Sequence, residues 1–185
     1  MRQNKQSNIF LVGLMGAGKS TVGRALAARL GKTFLDQDAE IEKEQNRAIA
    51  DIFACKGEVF FRDVEEAYLA TFAERKNCVL ATGGGVVLRE NNRQRMRASG
   101  IVIYLDVPIN VLVARLSKSF AHRPLLYDGS DIQGRIELLY SARSKLYKEA
   151  AHMVDTGRDH ETLDETVTRI IENLNQLNEK YEHRK

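Results

Sequence analysis

The stretch Ile9-Phe10-Leu11-Val12-Gly13-Leu14-Met15-Gly16-Ala17-Gly18-Lys19-Ser20 decides how the chain is read. A short apolar run of strand length enters a glycine-rich turn, and helical spacing opens directly after it. Residues 13–20 match G-x-x-x-x-G-K-S. At that spacing a tight turn aims successive backbone N–H groups inward, beside the positive end of a helix. The backbone of Gly13, Gly16, Ala17 and Gly18 then encloses a polyphosphate, as ATP carries. Lys19 reaches the β and γ phosphates, the Ser20 hydroxyl takes one place on Mg2+, and Thr21 stands in the first helical turn. A turn that merely joins strand to helix is the plain alternative, and motif and context together argue against it.

Beyond this stretch, strand-length apolar runs recur at 33–35, 79–81, 101–105 and 153–154, each separated from the next by segments with helical spacing. Strands alternating with helices predict an α/β fold with a parallel sheet and helices on both faces. A helix over 20–30 stops at Gly31, and one over 89–99 ends at Gly100 in the same way. Asp106 reads as the cap of a helix through Leu116, with Pro108 in its opening turn, and the last helix covers 162–177. The charged tail 178–185 is expected to fray. Two stretches break the alternation. Residues 38–77 read as an insertion of helices broken near Asn46 and Gly57, and 117–130 as a polar lid loop.

A length of 185 residues predicts one domain, 1–185. With 43% hydrophobic and 29% charged residues, and no apolar run near the ~18 residues of a membrane span, the composition excludes disorder and a transmembrane protein. The polar opening lacks a secretory pattern, which makes the cytoplasm the expected location. Cys55 and Cys78 make neither a disulfide scaffold nor a zinc site and are expected to be buried, inert thiols. A net charge of +3 does not call for a nucleic-acid partner. Arg89, Arg93, Arg95 and Arg97 mix helix faces without interleaved aromatics and read as a solvated face.

Asp36 and Asp38 follow the second strand in FLDQD, and alternate residues of an extended segment share a side. One carboxylate then serves magnesium and the other a substrate hydroxyl. The alternative makes Asp38 the N-cap of the helix AEIEKE. Asp106 is a second candidate for magnesium, set against its capping role. Gly83, Gly84 and Gly85 follow the buried strand CVLA, at the sheet end where ligands of open α/β sheets bind, and their amides can donate to a hydroxyl or an anion.

The pieces GLMGAGKST, FLDQDAEIE, IADIFACKGEVFFRDVE, ATGGGVV, HRPLL and ARSKLYKEAA, in this order between Gly13 and about Thr156, resemble the shikimate kinases. The resemblance implies a three-layer P-loop kinase fold with strand order 2-3-1-4-5, working as a monomer. It also implies transfer of phosphate from ATP, with magnesium, to the 3-hydroxyl of shikimate in aromatic amino-acid biosynthesis. It places Asp38 on the substrate hydroxyls, Arg62 and Arg143 on the carboxylate, and Gly83 to Gly85 on the ring hydroxyls. Arg123 belongs to the lid over ATP, Asp36 acts near magnesium, and Arg115 lies against adenine. Past Asp155 the run TGRDHET departs from the family's adenine loop, with Arg158 as the substitute contact. Alternatives remain: Arg62 as a surface partner of Glu65; a kinase for another small hydroxy acid such as gluconate; or a nucleoside monophosphate kinase using Phe53, Phe60 and Phe61 as a base slot. A non-catalytic nucleotide-binding module is the alternative outside the enzymes.

Overall fold

The computed structural model describes residues 7–120, 131–157 and 161–182, with the side chains of 118–120 and 181–182 left aside. Five strands form one parallel sheet: β1 (Asn8–Val12), β2 (Thr33–Asp36), β3 (Cys78–Ala81), β4 (Gly100–Asp106) and β5 (Met153–Thr156), in the order β2-β3-β1-β4-β5. β1 and β3 are buried along their whole length, whereas the edge strands β2 and β5 are only partly covered. That is the burial expected of a parallel sheet with helices on both sides, and it explains why the central strands are apolar throughout instead of alternating.

The helices are α1 (Lys19–Leu30), α2 (Gln37–Gln45), α3 (Ile49–Ala73), α4 (Glu90–Ser99), α5 (Ile109–Phe120), α6 (Ile132–Ala150) and α7 (Leu163–Glu182), with a 3₁₀ turn at Val86–Leu88. α1 packs with α7, and α3, α4 and α6 pack together, so the sheet lies between two helical layers. Aromatic residues carry much of this packing. Phe10 of β1 meets Phe72 of α3 edge to face at 5.4 Å, and Tyr104 of β4 stacks on Tyr147 of α6 at 5.0 Å. Each large side chain buried in this way contributes about 1.5–3 kcal/mol.

Three loops leave the carboxyl ends of neighbouring strands and meet there. Asp36 closes β2 opposite Ala81 of β3, and Leu11 of β1 pairs with the same Ala81. Thr82 then grips Leu11 twice: its N–H and its hydroxyl both donate to the Leu11 carbonyl, at 3.1 and 2.9 Å. The first and third strands are therefore fixed at the point where their loops depart.

Several expectations need correction. Gly100 is not a left-handed cap. Its backbone is extended (φ 177°) and it opens β4, where a Cβ would lie 2.3 Å from the Asn8 carbonyl oxygen. Close approach between β4 and β1, not a turn, demands glycine there. α5 continues through 117–120 to Phe120, four residues past Leu116, and α7 runs to Glu182, through most of the tail expected to fray. Asp106 does not cap α5: its Oδ1 accepts from Tyr104 and Tyr140 hydroxyls at 2.7 and 3.1 Å. Cys55 is exposed, while Cys78 is buried. Three of the four clustered arginines tie elements together, Arg89 and Arg93 half-buried and Arg97 still exposed. Arg89 pairs with Asp63 and Glu66 of α3, Arg93 donates to the Val87 carbonyl, and Arg97 donates to the carbonyls of Glu149, Ala150 and Ala151. Among the described residues no helix is long and apolar enough to cross a membrane.

Candidate active site

The loop between β1 and α1 is shaped by its own backbone. Gly18 precedes α1 in the left-handed region (φ 90°), which costs a residue with a Cβ but not glycine. The first bond into the helix runs from Val22 N–H to the Gly18 carbonyl. The amides of Lys19, Ser20 and Thr21 are thus left without a helical acceptor, as in any first turn, and point along the helix axis. The Lys19 ammonium donates to the Gly13 and Leu14 carbonyls at 2.8 and 2.9 Å, and burial lowers its pKa to about 8 against the opposing pull of Asp38 and Asp36. A cleft of about 650 Å³ opens over this loop, bordered by Gly16, Lys19, Ser20, Asp36, Asp38 and Arg115 and, at its far end, by Asp155, Gly157 and Glu161. Arg115 of α5 donates to the Gly16 carbonyl at 3.2 Å.

The two aspartates have different duties from those read off the helix pattern. Asp36, not Asp38, caps α2, its Oδ1 accepting from Ala39 N–H at 3.4 Å, and its Oδ2 accepts from the Ser20 hydroxyl at 2.5 Å. A serine hydroxyl and a held carboxylate side by side form an all-oxygen pair suited to magnesium, which takes one or two protein oxygens and completes its shell with water and phosphate. Among the described residues no group of three or more His, Cys, Asp and Glu forms a denser metal cage. Asp38 stands in the first turn of α2 and borders the cleft. Burial raises its pKa, with Lys19 pulling the other way.

Beyond Asp38 lies the second half of the site. A Cβ at Gly83 would fall 2.8 Å from both Asp38 Oδ1 and Glu65 Oε1, and one at Gly85 would fall 2.2 Å from Arg62 Nη1. Arg143 of α6 donates to the Gly84 carbonyl at 3.2 Å. Asp38, Arg62, Arg143 and the glycine triplet, drawn from four separate elements, therefore converge. Arg62, on α3 after the break at Gly57 (φ 81°), is paired with Glu65 as well: Nη1 donates to Glu65 Oε2 at 2.8 Å, and Glu58 takes the other edge. The pairing and the pocket position coexist. The triplet is not uniform, because the Gly83 amide donates to Gln37 Oε1 at 3.1 Å.

Phe53 and Phe61 do not form an open slot. They pack on each other at 4.7 Å, with the Arg62 guanidinium over both rings. Arg123 and Arg158 lie outside the described residues.

Two participants escape sequence reading, and a third, Glu65, is foreseen only as a surface partner of Arg62. Glu65 is fully buried, carries an Oε1 without a hydrogen-bond partner among the described residues, and has its pKa raised by burial. Gln37 and Tyr147 are fully buried too. All three look like ordinary helix positions in the sequence, and only their depth marks them.

A parallel sheet in this order, with a glycine-rich G-x-x-x-x-G-K-S loop after its middle strand and a second cluster of charged side chains around the loop one strand away, defines a P-loop small-molecule kinase. The comparisons refine the class. The family model for shikimate kinase matches residues 15–175. A shikimate kinase of Symbiobacterium thermophilum is 44% identical over 173 residues, covering 94% of this chain and 99% of the relative. One from Burkholderia lata is 48% identical over 157 residues, 84% of each chain. Among solved structures, the shikimate kinase of Acinetobacter baumannii in complex with shikimate superposes with a TM-score of 0.84 at 38% identity, covering 92% of this chain and 93% of that one. The chain belongs to the shikimate kinase family.

Proposed function

We propose that this chain transfers the γ-phosphoryl group of ATP to the 3-hydroxyl of shikimate, giving shikimate 3-phosphate in aromatic amino-acid biosynthesis, as a cytoplasmic monomer. The observation that carries the reading is the convergence of Arg62, Arg143, Asp38 and the glycine triplet beside the phosphate loop. Two guanidinium forks suit a carboxylate, and a carboxylate with backbone amides suits ring hydroxyls, so a small polyhydroxylated acid matches the pocket. Support comes also from the family and from the relative solved with shikimate.

ATP lies along the cleft with its phosphates on the amides that open α1. Lys19 exchanges the Gly13 and Leu14 carbonyls for phosphate oxygens and stabilises the charge that builds there in the transition state. Ser20 and Asp36 supply the protein's oxygens for magnesium. A magnesium ion, when bound, neutralises phosphate charge. Asp38 accepts the hydrogen bond of the 3-hydroxyl. Its raised pKa makes it a better proton acceptor than an ordinary aspartate as the new P–O bond forms. Arg62 and Arg143 hold the carboxylate and so fix which hydroxyl reaches Asp38. Arg123, from the resemblance, belongs to the lid and adds positive charge over the transferring group, and Arg158 contacts adenine.

The test is ADP release coupled to a spectrophotometric readout, with shikimate, gluconate and nucleoside monophosphates offered separately. Turnover is expected with shikimate alone. Faster turnover with gluconate or with a nucleotide would overturn the reading.

A further inference from the structure

The glycine triplet carries six backbone polar groups, and their partners are unequal. The Gly83 and Gly85 carbonyls accept from Val86 and Leu88 N–H at 3.3 and 3.0 Å, which turns them into the following 3₁₀ turn. The Gly83 amide goes to Gln37 Oε1. The Gly84 carbonyl points the other way, to the Tyr147 hydroxyl at 2.5 Å, with Arg143 as a second donor. Only the Gly84 and Gly85 amides have no acceptor among the described residues.

A peptide unit between two glycines rotates easily, because no Cβ on either side resists the flip. In a trans unit C=O and N–H point in opposite directions, so whatever holds the Gly84 carbonyl also aims the Gly85 amide. We infer that Tyr147 and Gln37 are positioning residues that lock the Gly83–Gly85 strap, so that its two remaining amides face the acceptor substrate. The inference rests on the shikimate reading for the identity of that substrate.

Both residues are built for the task. Gln37 spans two elements, its Nε2 donating to the Glu65 carbonyl at 3.1 Å while its Oε1 holds Gly83. Tyr147 is clamped by its stack on Tyr104, whose own hydroxyl is tied to Asp106. Burial pushes the Tyr147 phenol up to about 12, so it remains a proton donor throughout the working pH range. Arg143 cannot substitute for it: a guanidinium that turns to a substrate carboxylate weakens its hold on Gly84. Without the phenol, substrate and strap compete for one arginine.

The test is Tyr147→Phe in the full-length enzyme, which keeps the ring and its stack and removes one hydroxyl. KM for shikimate is expected to rise about tenfold while KM for ATP stays within about twofold, the size of one well-placed hydrogen bond. In the free protein the amide resonances of Gly84 and Gly85 should move. A lowered melting temperature with KM for shikimate and both amide resonances unchanged would reduce Tyr147 to a packing residue and overturn the inference. Should Tyr147→Phe fail to fold, Gln37→Met gives the same readings, expected as a KM rise of about fivefold. If the wild-type enzyme fails to phosphorylate shikimate, the functional reading falls, while the strap is still judged by the glycine amides.

Discussion

Two glycine-rich loops face each other across one strand spacing, and they hold their shape by opposite means. The loop after β1 is held mainly from within, by positive φ at Gly13, Gly16 and Gly18, by Lys19 and by the helix it opens, with Arg115 donating to it from α5. The triplet after β3 is held by side chains that come from α2 and α6, with α3 pressed against it. Self-shaped loops can be recognised as short motifs. A loop shaped from outside depends on residues far away in sequence, so its failures arise at a distance. Damage to the first loop should appear in phosphate chemistry, and damage to the second in handling of the acid.

The sharpest separation is expected from Lys19→Ala. On the proposed role of its cation at the transferring phosphate, this change should lower kcat about a thousandfold in steady-state assays, with circular dichroism unchanged. Asp38 stands where the two loops meet. Asp38→Asn should lower kcat about a hundredfold or more. Because burial disfavours the Asp38 charge in the folded chain, the same variant should melt no lower than wild type at neutral pH. Arg62→Ala belongs to the second loop alone and should raise KM for shikimate about thirtyfold, leaving KM for ATP within about twofold. It should also lower the melting temperature, since Glu65 would keep a buried charge without its partner. Gly85→Ala tests close approach: the new methyl would meet the end of the Arg62 side chain and push it off Glu65, so KM for shikimate should rise about tenfold and the melting temperature should fall as in Arg62→Ala.

The effect of pH reads the first loop. Lys19, with its pKa lowered to about 8, keeps its charge at neutral pH and loses it as pH rises through that value. KM for ATP should therefore climb above pH 8, by up to about tenfold per pH unit. The limb in kcat should lie higher, because bound phosphates favour the protonated amine. A KM for ATP that stays flat to pH 9.5 would detach Lys19 from the phosphates.

Legibility in the sequence follows the same division. The first loop could be read because its eight residues and their flanking strand and helix suffice to define it. The sheet could be read because strands buried on both faces, such as β3 and the middle of β4, are apolar without interruption. Gln37, Glu65 and Tyr147 could not be read as members of the site, since burial of a polar side chain in a helix depends on what lies opposite and leaves no local trace. The alternative reading of Asp38 as the cap of α2 missed by two residues because Asp36 and Asp38 are chemically equivalent caps, and only the backbone path after β2 chooses between them. Gly100 shows the same limit: a glycine after a helix signals a left-handed exit, yet here it answers to the neighbouring strand.

The double grip of Thr82 on Leu11 sets a fixed ruler inside the molecule. Donor and acceptor loops stand on adjacent parallel strands, whose separation of about 4.8 Å is dictated by the hydrogen-bond ladder and cannot be stretched. An enzyme on this frame that evolves toward a bulkier alcohol must recarve its side chains, because the gap between its two cradles is a property of the sheet.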